Sequence, residues 1–146
     1  MQIKEILKVK GTDVYHIAPD ATVYDAVKLM SDLNVGGLLV MRARKMAGII
    51  TERDYRNKII LKGRASKETA VEEIMTTEVL CVKDTETVES CLQIMTEKKI
   101  RHLPVMNDDN TVGGMISIGD LVKAVINKQK VEISTLKSYI YGDSPL

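Results

Sequence analysis

Apolar residues follow two different patterns along this chain. Short all-apolar runs at residues 38–41 and 103–106 are typical of strands that are covered on both faces. In residues 23–33, apolar residues recur at helical intervals, which indicates a helix with one buried face. Thr22 and Asp25 have the spacing of a capping box at the start of that segment. The pattern therefore predicts strands and helices in alternation.

The order of these elements occurs twice. Thr22, in front of the first long helix, corresponds to Thr87, and residues 38–41 correspond to residues 103–106, in both cases 65 positions further on. The distance becomes 66 positions at the next strand, since the second hairpin is longer by one residue. A distance that stays almost constant over several elements indicates an internal repeat.

The repeat predicts two halves, at residues 1–62 and 69–128, joined by a polar connector that contains Gly63. Each half reads strand, helix, strand, strand, helix, and the first strands of the two halves are predicted at residues 14–17 and 79–82. A unit of this size buries too little apolar surface to be stable alone. We therefore expect a fold of the α/β (α+β) class, in which two β-α-β-β-α repeats pack sheet to sheet about a pseudo-two-fold axis.

Residues 129–146 have no counterpart in the repeat, and we predict that they form a C-terminal helical tail. Ile133, Leu136 and Ile140 have helical spacing, which places the predicted helix at residues 131–141. This helix is a candidate for capping the module or for contacts between two chains.

Composition and charge disfavour several classes of protein. Among 146 residues the formal net charge is +1 and the basic residues are dispersed, so the electrostatic footprint of a nucleic-acid-binding protein is missing. No apolar run is long enough to cross a membrane and no secretory signal is present, which predicts a cytoplasmic protein without membrane contact. Cys81, Cys91, His16 and His102 lack metal-ligand spacing, so we expect reduced thiols and no metal site.

Two segments at strand-to-helix junctions carry the candidate chemistry. Residues 48–54 and 114–120 each run from glycine through two apolar residues to a hydroxyl residue, with an aspartate three positions further on. A strand that leads into a helix presents free backbone N–H groups and the positive end of the helix dipole, which suit a phosphate. The aspartate can accept hydrogen bonds from both hydroxyls of a ribose. The segments therefore suit a nucleotide.

The same pattern also has a purely structural interpretation. Ser/Thr-x-x-Asp is a capping box, in which Thr51 or Ser117 caps the helix and the aspartate binds back to it. Glycine at positions 48 and 114 lets another backbone approach the strand closely. An aspartate that caps a helix at the mouth of a cleft is already placed for a ribose, so both interpretations can hold.

Together, these two segments and the strand Arg101-His102-Leu103-Pro104-Val105 resemble a tandem pair of cystathionine-β-synthase (CBS) domains, the arrangement called a Bateman module. The resemblance covers roughly residues 3–128. With no catalytic or transporter domain attached, the chain resembles the stand-alone two-CBS proteins. The resemblance implies a non-enzymatic module that binds adenosine-containing ligands in clefts between the repeats. AMP, ADP and ATP are commonest in the family, S-adenosylmethionine or NAD(H) serves some members, and no metal is required.

The resemblance also implies which residues contact the ligand. In the family, the aspartate holds the ribose, the Ser/Thr lies near the phosphate, and the adenine lies between the first strand and the Leu-x-Val strand of the other repeat. The first implied site consists of Thr51, Arg53, Asp54, Leu80, Arg101, His102, Leu103 and Pro104. The second consists of Tyr15, Gly37, Leu38, Leu39, Ser117 and Asp120. No catalytic residue is implied.

The two sites differ in their neighbouring residues. Arg53 stands before Asp54, whereas Gly119 stands before Asp120. The family's proline in the adenine strand is present in the second repeat, but Leu39 takes its place in the first. We therefore expect the Asp54 site to be preferred, and its basic residues to favour ligands that carry phosphate.

We weigh three classes of function. The leading one is a regulatory module that senses adenylate or NAD state and signals to an unidentified partner protein, or through its own homodimer, formed by the helices outside the sheets. An enzyme is disfavoured because no nucleophile has a positioned base near it in sequence. Near-neutral charge and few aromatic residues disfavour a nucleic-acid binder. An S-adenosylmethionine binder and a structural dimeric module without ligand are the alternatives.

Overall fold

Two three-stranded sheets, one from each half of the chain, form the framework of the protein. The computed structural model describes residues 1–141, and residues 142–146 lie outside that description. In chain order the elements are α1 (Ile3–Lys10), β1 (His16–Ile17), α2 (Val23–Leu33), β2 (Gly37–Arg42), β3 (Lys45–Thr51), α3 (Glu52–Tyr55) with a π-helical turn (Arg56–Ile60), a 3₁₀ turn (Ser66–Glu68), α4 (Val71–Ile74), β4 (Val82–Lys83), α5 (Val88–Lys98), β5 (His102–Met106), β6 (Val112–Ser117) and α6 (Ile118–Tyr141).

Both sheets have the same topology and the same register. The middle strand of each is parallel to the first strand and antiparallel to the third. Leu38 lies opposite Ile50 in the first sheet, and Leu103 lies opposite Ile116 in the second. All four side chains are fully buried and pack against the helices. The predicted repeat and the predicted α+β fold are confirmed.

The two long helices begin and end at equivalent residues. Thr22 Oγ1 accepts a hydrogen bond of 3.1 Å from the backbone N–H of Asp25, and Thr87 caps α5 in the same way. These hydroxyls satisfy amides that the first turn of a helix leaves free. α2 ends at Asn34 and α5 at Lys99, both in the left-handed conformation. Matching caps hold the helices at matching positions on the two sheets.

The short helix at the start of each half, α1 or α4, packs into the core of the other half. Ile3 of α1 is fully buried in the second core, and Val71 of α4 is fully buried in the first. The Ile3 N–H donates to the carbonyl of Glu86 (2.9 Å), and the Val71 N–H donates to the carbonyl of Ala21 (2.8 Å). The packing therefore crosses the predicted boundaries between the repeats, and each core is completed by a helix from the other half.

The first strand of each half is shorter than predicted. The pattern predicted strands at residues 14–17 and 79–82, but only the last residues of each run, or those just after it, pair with the sheet. The cause is clear in the second half, where Thr76 pairs with Ile49 of the first sheet. Residues 77–81 must then cross from one sheet to the other before β4 begins. They form a connecting segment along the junction of the two halves.

The predicted C-terminal helix is present, but it is not separate from the repeat. α6 is a single helix of 24 residues that starts directly after the second motif. No glycine or proline interrupts the sequence between Asp120 and Tyr141, so nothing in it ends the helix earlier. The helix after the first motif behaves differently, because α3 changes to a π-helical turn after Tyr55.

Candidate functional site

A cleft of about 460 Å³ lies at the junction of the two halves. One wall is formed by the end of β3 and the start of α3, and the other by the segment 77–81 and the start of β5. The cleft is lined by six of the eight residues predicted for the first site, namely Thr51, Arg53, Asp54, Leu80, Arg101 and His102. Residues far apart in the sequence therefore line one cleft.

Asp54 is almost completely buried at the base of this cleft, with an exposure of 5%. Its Oδ2 accepts hydrogen bonds from the backbone N–H of Thr51 (3.0 Å) and from the Thr51 hydroxyl (3.3 Å). Its Oδ1 accepts one from the Thr76 hydroxyl (3.1 Å) and forms an ion pair with Lys58 Nζ at 3.0 Å. The capping box is confirmed, and Asp54 also joins the start of α3 to the second half.

The sequence did not point to Thr76 and Lys58 as partners of Asp54. Lys58 lies four residues after the aspartate, a spacing that favours an ion pair on a helix. Its Nζ also donates to the carbonyl of Ile74 at 2.8 Å, so it bridges α3 and α4. Thr76 is 22 residues from Asp54, and no local pattern connects them. Only the fold shows this contact.

A close backbone approach requires glycine at position 48, as predicted. The backbone that approaches belongs to another segment of the same chain. Ile49 and Thr76 exchange two backbone hydrogen bonds, of 2.9 and 2.8 Å. A Cβ atom on Gly48 would lie 2.5 Å from the Thr76 carbonyl oxygen. At the equivalent Gly114, a Cβ atom would instead meet a side-chain methyl of Leu7 at 2.8 Å.

Cationic side chains outnumber anionic ones on the exposed walls of the cleft. The cations are Arg53, Arg56, Lys99 and Arg101, and the exposed anions are Glu52 and Glu78. Burial lowers the pKa of His102, and the nearby cations of Lys10 and Arg101 act in the same direction, against the opposite effects of Glu52 and Asp120. His102 is therefore neutral at pH 7 and can donate or accept a hydrogen bond. The walls suit an anionic group.

Four predicted residues lie in the two middle strands, β2 and β5. Leu38 and Leu103, which are equivalent in the repeat, are fully buried in the two cores, so their side chains face away from any ligand. Leu39 and Pro104 are also buried, and they too are equivalent. We infer that these strands can offer a ligand their backbone and a flat apolar surface, but not the side chains of the two leucines in the cores.

The second predicted site is occupied by a lysine of the same chain. Lys10, the last residue of α1, places its Nζ 2.6 Å from Asp120 Oδ2 and 2.6 Å from the carbonyl oxygen of Met115. The Ser117 N–H donates to the same carboxylate oxygen at 2.8 Å, and the Asp120 N–H donates to the Ser117 hydroxyl at 3.2 Å. Tyr15 is half-exposed, and its carbonyl accepts from the N–H of Leu39 at 3.1 Å.

The environment of Asp120 lowers the pKa of its carboxyl. Partial burial raises the pKa, but the hydrogen bond from Lys10 and the bond from the Ser117 N–H together outweigh that effect. The two aspartates are therefore held by different cations, Lys58 from the same helix and Lys10 from a helix 110 residues away. This difference adds to the one between Arg53 and Gly119 that the sequence indicated.

Residues 1–141 contain neither a helix suited to crossing a membrane nor a group of metal ligands. No helix in this range is both long and apolar enough to traverse a bilayer. In the same range, no three side chains among histidine, cysteine, aspartate and glutamate are grouped as metal ligands. Both free cysteines, Cys81 and Cys91, have a raised pKa because of burial, to about 11 for Cys91. They are thiols at neutral pH.

Relatives of the chain were found by sequence. The CBS domain model matches it twice, at residues 3–60 and 71–127. The CBS domain-containing protein CBSX3 of Arabidopsis thaliana, which is mitochondrial, is 44% identical over an aligned length of 149, and the match covers 96% of this chain and 72% of that protein. Since this relative is mitochondrial, the similarity does not confirm the predicted cytoplasmic location, which stays a prediction.

Solved structures have the same fold. A protein with CBS domains from Burkholderia ambifaria has a TM-score of 0.85 at 45% identity, over 88% of this chain and 96% of that one. A CBS domain protein from Pyrobaculum aerophilum, solved in complex with AMP, has a TM-score of 0.73 over 82% of this chain and 89% of that one. Its identity is 20%, so this likeness concerns the fold alone. The chain belongs to the CBS domain family, a family of regulatory modules and not of catalytic domains, with one copy of the domain in each half.

Proposed function

We propose that the protein is a non-enzymatic regulatory module that binds one adenine nucleotide (AMP, ADP or ATP) or NAD(H) per chain in the cleft of Asp54. The observation that carries this proposal is the cleft itself, which unites a ribose acceptor, a helix start and several cations in one cavity. Its volume of about 460 Å³ falls within the range of about 300–1,000 Å³ that is usual for small-molecule sites. AMP in the Pyrobaculum protein is consistent with it.

The geometry suggests how the nucleotide lies. The half-exposed side chain of Leu80 offers an apolar face for the adenine. The ribose hydroxyls donate hydrogen bonds to Asp54 Oδ1 in place of Lys58. The side chain of Lys58 is 44% exposed and can move into solvent. The phosphate then lies at the start of α3, where the positive end of the helix dipole favours an anion, within reach of the cationic side chains of Arg53 and Arg101.

The charge of the cleft favours nucleotides over S-adenosylmethionine. S-adenosylmethionine carries a positive sulfonium and lacks phosphate, so the cations at the cleft walls repel part of it. AMP, ADP, ATP and NAD all present phosphate to the same residues. We therefore expect phosphate-bearing ligands to bind more tightly than S-adenosylmethionine, and plain adenosine to bind more weakly than AMP.

We also propose that the protein forms a homodimer and signals through it, or through a partner protein, in response to the ligand. Helices on the outside of the sheets carry exposed apolar residues, among them Tyr24 on α2 and Ile60 and Leu61 after α3. Such side chains on neighbouring helices are typical of an interaction surface. Ligand binding can shift such an association only as far as its affinity differs between the two states.

Titration calorimetry with AMP, ADP, ATP, NAD, adenosine and S-adenosylmethionine tests the nucleotide site. We expect one nucleotide per chain, and a loss of about ten- to a hundredfold in affinity for Asp54→Asn, since a charge-assisted hydrogen bond contributes about 1.5–3 kcal/mol. Leu80→Ala should weaken all adenosine ligands, and Arg101→Ala only those with phosphate. Asp108→Asn, at an exposed hairpin tip, is the matched control. Unchanged binding in Asp54→Asn and Leu80→Ala, or no binding at all, would refute the proposed site.

A further inference from the structure

The C-terminal part of α6 extends beyond the core. The helix has 24 residues and is therefore about 36 Å long. Leu121 near its start is fully buried, but the later apolar residues Ile126, Ile133, Leu136 and Ile140 are exposed by 45, 52, 59 and 70%. A helix without packing partners is only marginally stable in water. Apolar surface on such a helix needs a partner.

The exposed residues of α6 follow a heptad pattern. Spacings alternate between four and three along a set that we call the α6 seam: Val122, Ile126, Gln129, Ile133, Leu136 and Ile140. Isoleucine fills every a position, and the d positions hold valine, glutamine and leucine. Among parallel coiled coils, isoleucine at a with leucine at d, the combination at Ile133 and Leu136, favours two strands. Val122 and Ile126, at the start of the seam, line an open groove of about 650 Å³.

We propose that the α6 seam pairs in parallel with the α6 seam of a second copy of this chain. The flanking charges decide the partner and the direction. In a parallel pair, a g residue faces the e residue of the next heptad on the other chain, which sets Glu132 against Lys137. Two-fold symmetry makes this attractive contact twice. The chain is therefore complementary to itself along this face.

An antiparallel pair would bring the wrong charges together. The e positions of successive heptads are Lys123, Lys130 and Lys137. In an antiparallel coiled coil, e residues face e residues, so each contact of this kind would join two lysines. Like charges at such positions are destabilising. The charge pattern selects the parallel arrangement.

Gln129 supports the same arrangement. In a parallel pair, the d residue of one chain faces the same residue of the other, so two Gln129 amides meet and can hydrogen-bond to each other. In an antiparallel pair, Gln129 would face an isoleucine at an a position, and its amide would be buried without a hydrogen-bond partner, which is unfavourable. A single polar residue in a seam is a known means of fixing register and direction.

Disulfide cross-linking of the full chain tests both the contact and its direction. In a Cys81→Ser background, Leu136→Cys places one thiol at a d position, where the two copies meet. We expect a covalent species of twice 16.3 kDa under mild oxidation. Val131→Cys, on the opposite side of the same helix, is the matched control and should give several-fold less. Equal yields from the two variants, or no cross-link from Leu136→Cys, would overturn the parallel pairing. An antiparallel pair, or a different protein bound to the seam, would give such a result.

A charge exchange tests whether the proposed ion pair directs the association. In the Leu136→Cys background, Glu132→Lys should reduce the yield of cross-link several-fold, and the further change Lys137→Glu should restore it. No loss, or no rescue, would contradict the parallel register. The pairing adds a contact to the proposed homodimer and needs no nucleotide. If sedimentation shows a double mass while the cross-link fails, a dimer through α2 and α3 stands and the seam pairing does not.

Discussion

The imidazole of His102 lies against Gly37, the residue that holds the equivalent place in the first repeat. A Cβ atom on Gly37 would be 3.5 Å from the ring carbons of His102, and one on Gly36 would be 3.4 Å from the ring. Equivalent residues can meet in this way only at the pseudo-two-fold axis. The space at the axis holds one large side chain, and the imidazole of His102 fills it. The residue at position 37 must therefore have a small side chain or none. The two sites therefore differ for a steric reason.

Exchanging these two residues is our first prediction. Gly37→His alone should destabilise the protein by about 1–3 kcal/mol, because two imidazoles would compete for the same volume. Adding His102→Gly should recover much of that loss, since the space at the axis is vacated. Urea unfolding of the two single variants and the double variant gives a coupling energy, expected to be about 1 kcal/mol or more. Additive effects would show that the two positions do not share this space.

The two motif glycines should differ in how well they tolerate alanine. A Cβ atom at Gly48 would meet the Thr76 carbonyl oxygen at 2.5 Å, and that backbone is fixed by two hydrogen bonds to Ile49. At Gly114 the obstacle is the end of the Leu7 side chain, which can adopt another rotamer. Gly48→Ala should therefore lower the free energy of unfolding by at least about 2 kcal/mol, and Gly114→Ala by less.

Thermal or urea unfolding of both alanine variants measures this difference. Neither glycine has a positive φ, so backbone strain does not enter the comparison. Nucleotide binding should also weaken in Gly48→Ala, because Thr76 would shift away from Asp54 and open the base of the cleft. A larger loss of stability in Gly114→Ala than in Gly48→Ala would contradict the argument.

The sequence predicted what depends on neighbours in the chain. The capping box of Thr51 and Asp54 and the caps of the long helices follow from spacings of three residues, and all are present. The repeat predicted two equivalent sheets, one from each half, because equal patterns fold alike. The family resemblance grouped Leu80 and Arg101 with Asp54, and all three line the same cleft, but their contact with a ligand stays a prediction.

Contacts between the halves could not be predicted in this way. Thr76 reaches Asp54, and Lys10 reaches Asp120, over separations of 22 and 110 residues. Both contacts depend on the exchange of α1 and α4 between the cores, and the apolar pattern of these helices is the same for either core. Periodicity reveals which face of a helix is buried, but not which sheet buries it.

Removing the lysine that occupies the second site should change the acid sensitivity of the protein. The pKa of Asp120 is lowered in the folded state, so its contribution to stability is full above the unfolded value of about 3.9 and is lost as pH falls through the lower, folded value. In Lys10→Met the folded pKa rises towards the unfolded one, and less stability remains to be lost. Urea midpoints at about pH 6 and about pH 3 should differ less in Lys10→Met than in the wild type.

Lys8→Met is the matched control for this experiment, because Lys8 is exposed on the same helix. It should show the pH dependence of the wild type. If Lys10→Met keeps the full pH dependence, the Ser117 N–H alone would account for the lowered pKa of Asp120. Calorimetric stoichiometry on the same variant shows whether vacating this position opens a second nucleotide site.

Protonation of His102 should couple nucleotide binding to pH. Burial lowers the pKa of His102 in the free protein, and Lys10 and Arg101 add to this while Glu52 and Asp120 oppose it. A bound phosphate favours the imidazolium and raises the pKa in the complex. Binding then takes up a proton, so the affinity for AMP gains a favourable contribution as pH falls from about 8 to about 6. Protonation of the AMP phosphate, with a pKa of about 6, acts in the opposite direction.

Titrations across this range with His102→Asn separate the two effects. The phosphate titrates identically with both proteins, so the ratio of wild-type to variant affinity isolates the imidazole. We expect this ratio to rise several-fold between about pH 8 and about pH 6 for AMP, and to stay flat for adenosine, which has no phosphate. A flat ratio for AMP would place the phosphate away from His102 and towards Arg53. An equal rise with adenosine would mean that protonation changes the axis packing of His102 on Gly37 and not the contact with phosphate.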